Sequence, residues 1–150
     1  MTSVAHRAAA RGSSGSICHP PMPTVATLDA FVALVEAGRF TEAIEQFYAD
    51  DATMQENHLP PRVGKAALLA NERKALAGVR SVRARCVRPL FVAGDQVVIR
   101  WQFEFEDAYR TVARIDELTL QRWRGEQIAE EKFFYDPAQM KAPTAPPSSP

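Results

Sequence analysis

Residues 96–107 read QVVIRWQFEFED, and their period of two decides the fold. In an extended chain Val97, Ile99, Trp101, Phe103 and Phe105 share one face, while Val98, Arg100, Gln102, Glu104 and Glu106 share the other. The same alternation runs through SVRARCVRPLFV (81–92), TVARIDELTLQRW (111–123) and IAEEKFFYD (128–136). The joints Ala93-Gly94-Asp95, Asp107-Ala108-Tyr109 and Arg124-Gly125-Glu126 are turn-forming and too short for a crossover. Four antiparallel strands in a meander are therefore expected.

Working outward, the face assignments single out two acids. Asp116 falls on one face with Val112, Arg114, Leu118, Leu120 and Arg122. Ala113, Ile115, Glu117, Thr119, Gln121 and Trp123 occupy the opposite face. A carboxyl among apolar neighbours must be paired, hydrogen-bonded or protonated. Two readings of Asp116 follow: a pocket acid with a raised pKa, or a sheet-edge ion pair with Arg114 or Arg122. Glu131 shares its face with Ala129, Phe133 and Tyr135, and Lys132 points the other way.

Upstream of the strands the period is helical. Leu28, Phe31, Val32 and Val35 lie at i, i+3, i+4 and i+7, with Thr27 placed to cap and Gly38 to stop the helix. Thr41 is placed to cap a second helix, TEAIEQFYAD, whose apolar face is Ala43, Ile44, Phe47 and Tyr48. DDATMQEN (50–57) reads as a short strand and HLPPRVG (58–64) as a loop. KAALLANERKALAG (65–78) reads as a third helix ending at Gly78. The fold class is thus α+β, with three N-terminal helices on one face of a curled antiparallel sheet.

The chain of 150 residues suits one domain, expected at 24–140. The Ser/Gly-rich start (1–23) is expected to be a disordered leader, or to precede a working chain that begins near Met22. The Pro/Ser-rich end (141–150) is expected to be disordered as well. With 18 Lys+Arg against 18 Asp+Glu the net charge is zero, which removes bulk attraction to nucleic acid or anionic membrane. No apolar run approaches the roughly 18 residues of a membrane helix. Cys18 and Cys86 demand no oxidising compartment, and a cytoplasmic location is expected.

Two short helices joined by AGRFTEA, then FYADDATMQEN, then a loop ending VGKAAL resemble the nuclear-transport-factor-2-like superfamily. The ending RIDELTLQRWRGEQIAEEKFFYDP is similar to its SnoaL-like members, and the likeness covers about 28–138. The resemblance implies a cone-shaped curved sheet closed by helices around one apolar pocket, commonly as a homodimer. It does not fix the reaction, because this fold hosts isomerases, cyclases, hydrolases, dehydratases and non-catalytic binders.

Site residues follow from the same resemblance. In ketosteroid-isomerase-like members the residue after A-D-D-A-T-x-x is the carboxylate base, which is Glu56 here. Their second acid, a protonated carboxyl that donates to an oxyanion, matches Asp116 in Ile115-Asp116. Their helix-one tyrosine falls at Phe31, so the steroid-isomerase donor set is incomplete. Epoxide-hydrolase-type members need Arg-x-Asp near Arg100–Gln102 and an Asp at Phe133, and neither is present. The His–Asp pair of polyketide cyclases is also incomplete, since His58 is the histidine available within the folded part.

Two function classes remain. One is a cofactor-independent isomerase or cyclase acting on an apolar carbonyl compound, with Glu56 as base and Asp116 as neutral donor. Phe31, His58, Trp101, Phe103, Glu131, Phe133 and Tyr135 would then line the ligand site. The other is a non-catalytic ligand-binding or assembly module. No metal is expected, because Glu56 and His58 have no HxxxH or CxxC partner. A homodimer is expected through a polar sheet surface of Arg100, Gln102, Glu104, Glu117, Thr119 and Gln121, with Trp123 beside it.

Overall fold

The computed structural model describes residues 22–141. The expected disordered ends therefore lie almost wholly outside the described residues. Three helices come first: α1 (Val25–Glu36), α2 (Phe40–Phe47) and α3 (Lys65–Ala77). Six strands make one sheet: β1 (Tyr48–Glu56), β2 (Arg62–Val63), β3 (Val79–Ala93), β4 (Gln96–Asp107), β5 (Val112–Arg124) and β6 (Gln127–Phe134). A short 3₁₀ turn, Pro137–Met140, follows.

The spatial order is β2-β1-β6-β5-β4-β3. The last four strands form the antiparallel meander that the short turns require. Two features were not legible in the period. β1 adds to the sheet parallel to β6, pairing Met54 with Glu131 and Glu56 with Phe133. β2 is only a two-residue pairing on the outer edge of β1. At the opposite edge, β3 carries Pro89 within a register shift between Val87 and Phe91, where a missing backbone donor is tolerated.

Helix ends differ from expectation in three places, one being the end of α2, which stops at Phe47 so that Tyr48, Ala49 and Asp50 open β1 instead of closing the helix. Thr24, not Thr27, caps α1, its hydroxyl accepting from the Thr27 backbone N–H at 3.2 Å. The N–H and hydroxyl of Thr24 also donate to the Glu126 carboxylate, tying the helix start to the β5–β6 turn. At the other end Gly38 adopts φ 73°, and Gly38 and Arg39 donate back to Val35 and Leu34. This pair of bonds is a Schellman closure. It runs directly into α2, so Arg39 occupies the cap position and Thr41 lies inside the helix.

The concave sheet face carries the core. Along β4, Val97, Ile99 and Trp101 are buried against α1 and α2, and Phe103 continues the row toward the open end. Register decides the facing of β5. Trp101 pairs with Glu117 and Phe103 with Ile115, whereas Gln102 pairs with Asp116. Residues directly opposite share a face. Glu117, Thr119, Gln121 and Trp123 are therefore inside the cone and buried, not on the expected dimer surface. The outer face instead presents Arg100, Asp116, Leu118 and Leu120, with Phe134 of β6 opposite Leu118.

Candidate functional site

A cavity of about 290 Å³ opens between the helices and the concave sheet face. That is near the lower end of the roughly 300–1,000 Å³ usual for small-molecule sites. Phe31, Trp101, Phe103, Phe133 and Tyr135 line it, as do Glu56 and Glu131. His58 does not, because it is exposed in the turn after β1.

Asp116 is also absent from the lining, and its position corrects the sequence reading. It stands on the convex face, where the Arg100 guanidinium donates to both carboxylate oxygens at 2.8 and 2.5 Å. Gln102 adds a third bond at 3.2 Å. Hydrogen bonding to Arg100 holds its carboxyl down at about 2. The ion-pair reading is the one realised, but with Arg100 across the strand pair rather than Arg114 or Arg122. Asp116 and Glu56 are not brought to one cavity.

The neighbour of Asp116 takes the inner position. Glu117 is 9% exposed, lines the cavity, and has no hydrogen-bond or ion-pair partner among the described residues. Burial, and then the Glu131 and Glu56 charges, push its carboxyl up to about 8. Its face-mates Thr119 and Gln121 are themselves polar, so alternation alone did not mark this face as buried. The signal was available only through pairing register with Trp101.

Glu131 is held differently. It is 4% exposed, and its two oxygens accept from the Gln121 side-chain amide at 2.7 Å and from the Tyr48 hydroxyl. Trp123 Nε1–H donates to Gln121 Oε1 at 3.0 Å, which fixes the amide so that its NH₂ faces Glu131. Burial raises the Glu131 carboxyl to about 7 despite both donors. The same acid pushes the Tyr48 phenol upward, after burial itself. Two residues before Gln121, the Thr119 hydroxyl is buried without a partner among the described residues.

Glu56 is the partly exposed member, at the end of β1. One oxygen accepts from Arg62 at 2.8 Å and the other from the Tyr135 hydroxyl at 2.9 Å. Asn57, at φ 48°, accepts from the Tyr135 backbone N–H at 3.1 Å and so secures that tyrosine beside Glu56. A fourth acid, Glu72 of α3, also lines the cavity, and burial followed by Glu56 raises its carboxyl. Glu72, Glu117 and Tyr48 were not among the sequence candidates. Among the described residues no group of three or more His, Cys, Asp or Glu side chains converges as a metal would need.

Three helices laid into a curved, unclosed six-stranded sheet around one cavity define the nuclear-transport-factor-2-like cone fold. Within that class the chain belongs to the SnoaL-like domain family, whose model matches residues 28–131. A structure from Mesorhizobium loti, assigned as a SnoaL-like polyketide cyclase, is 26% identical with a TM-score of 0.63. The match covers 75% of this chain and 99% of that one. A ketosteroid-isomerase-like protein from Catenulispora acidiphila, solved in complex with trimethylamine, has 21% identity and a TM-score of 0.66 over 77% and 89% of the two chains. A structure from Jannaschia sp. CCS1, also assigned as a SnoaL-like polyketide cyclase, has 16% identity and a TM-score of 0.67 over 81% and 93%. No curated protein matches this sequence. No helix among the described residues is long and apolar enough to cross a membrane.

Proposed function

We propose that this chain is a cofactor-independent proton-transfer enzyme of isomerase or cyclase type, acting in the cytoplasm on a small apolar carbonyl compound. The observation that carries the reading is Glu117: a buried carboxyl, without a partner among the described residues, facing the same cavity as Glu56. Its raised pKa keeps it protonated near neutral pH, so it can donate to a carbonyl oxygen as negative charge develops there. Glu56, held by Arg62 and Tyr135, is the base that removes the proton from the adjacent carbon. Glu131 and Tyr48 supply a polar contact deeper in the cavity, and the aromatic side chains exclude water.

The test is exchange of α-protons in D₂O, followed by NMR over a panel of small apolar ketones. For a ketone that exchanges, Glu56→Gln is expected to slow the reaction by about 10²–10⁴-fold, the usual worth of a positioned acid or base. Asp116→Asn is expected to leave it unchanged. Undiminished exchange in Glu56→Gln would remove Glu56 from the mechanism. A second reading, a non-catalytic ligand-binding or assembly module, is favoured by Phe31 standing where the resemblance places a tyrosine donor. It predicts ketone binding with no exchange at all.

We further propose a homodimer through the convex sheet face. Leu118 is 48% exposed there, Phe134 pairs with it from β6, and Leu120 follows it on β5 with Val98 opposite on β4. Sedimentation at micromolar concentration should give a dimer, and Leu118→Arg should give a folded monomer. A monomeric parent protein would refute this.

A further inference from the structure

The cavity lining combines four glutamates, from β1, α3, β5 and β6, with no Lys, Arg or His among the described residues. Arg62 approaches from β2 and is taken up by Glu56. Glu72, Glu117 and Glu131 are left without a cationic partner among the described residues. Such a set is not a consequence of packing, because apolar side chains of similar volume would fill the space at less cost. Among the described residues none satisfies the Glu117 carboxyl, which is 9% exposed and lines the cavity.

The remaining walls mix aliphatic side chains such as Ile44, Met54, Leu76 and Ile115 with a set of aromatic rings. Trp101 and Phe103 lie with ring centroids 5.9 Å apart, and Phe103 stacks on Phe105 at 5.8 Å. Phe133 and Tyr135 line the cavity from the β6 side. Aromatic faces beside carboxylates suit one ligand chemistry above others: an alkylated ammonium, which gains from ring quadrupoles and from charge pairing while burying its methyl groups. A compact metal ion is less suited, because the carboxyls do not converge.

We propose that the ligand of this cavity carries an organic cation, a protonated or quaternary alkylamine, seated between the Trp101–Phe103 wall and the Glu72–Glu117–Glu131 carboxyls. This rests on the small-molecule reading above and narrows its substrate class to amine-bearing apolar compounds. Among the described residues, the charged or titratable groups facing the seat are Glu56 paired with Arg62, Glu72, Glu117, Glu131, and the Tyr48 and Tyr135 phenols. Entry of one cation expels one proton from the three-carboxyl set and leaves the others in place, so a neutral donor remains for a carbonyl. Binding therefore strengthens as pH rises through the range where the raised carboxyls ionise.

The experiment compares benzyltrimethylammonium with its uncharged isostere, neopentylbenzene, on the full chain, by calorimetry and by the combined fluorescence of Trp101 and Trp123. The expected result is cation binding about tenfold or more tighter than the isostere at pH 8.5. That preference should shrink by about tenfold or more at pH 6, with proton release seen as a buffer-dependent heat. Glu117→Gln and, separately, Glu72→Gln should weaken the cation several-fold and leave the isostere unchanged. Equal or tighter binding of the isostere would overturn the cation assignment while keeping the small-molecule site. Binding of neither probe at millimolar concentration would overturn both.

Discussion

Glu117→Gln is expected to stabilise the folded protein at pH 8.5 and to leave it nearly unchanged at pH 4.5. The wild-type carboxyl is pushed from an ordinary 4.5 up to about 8, by burial first and then by Glu131 and Glu56. Below pH 4.5 the side chain is protonated in folded and unfolded chains alike, so folding gains its full stability. Between 4.5 and 8 the unfolded chain releases a proton that the folded chain retains, and ionising the buried group costs progressively more. Stability is therefore lost as pH rises through 8. The rise from 4.5 to about 8 corresponds to about 5 kcal/mol at most. Glutamine has no charge to bury, so the variant should be about 3–4 kcal/mol more stable than the parent at pH 8.5. Urea unfolding at a series of pH values measures this directly. Parallel pH profiles for the two proteins would show that the Glu117 carboxyl ionises freely.

Trp123→Ala should carry the other large effect, with the opposite sign. The indole is 1% exposed. It meets Phe31 edge-on at 6.1 Å and donates its N–H to Gln121 at 3.0 Å. Truncation leaves a cavity that rigid strands cannot close, and the cost is about 3–5 kcal/mol. For a domain whose whole margin is roughly 5–15 kcal/mol that is a severe loss. Trp123→Phe separates packing from polarity. It keeps most of the ring volume and removes only the bond to Gln121, with an expected cost of about 1–2 kcal/mol. If both variants lost the same stability, the hydrogen bond rather than the packing would dominate at this position.

The elements were readable because their periods are strong. QVVIRWQFEFED separates cleanly into an aromatic face and a charged face, and helix α1 buries the four residues its spacing selects. β5 is harder. Its inner face carries Ile115 and Trp123 but also Glu117, Thr119 and Gln121, while its outer face carries Leu118 and Leu120. Neither face is clearly the apolar one, so phase has to come from pairing with β4, and pairing is non-local information. That ambiguity misplaced Asp116 and hid Glu117. Glu56, Trp101, Phe103, Glu131, Phe133 and Tyr135 were legible as neighbours of one cavity because each lies on an unambiguous strand face or in a recognisable family motif. Glu72 was not, since α3 buries only Leu68 and presents little amphipathic contrast to read.

The parallel seam between β1 and β6 also sets an order of events. β3 to β6 can zip by successive hairpins, each closing a loop of a few residues at small entropic expense. Glu56 instead meets Phe133, so this strand docks only after the entire intervening chain has been folded back. By loop-closure entropy Glu56 is expected to join a sheet already carrying Glu117 and Glu131. Until β1 arrives, Tyr135 lacks its acceptor and the meander presents its inner aromatic rows to water. Without β6 there is no strand edge on which β1 can place Glu56.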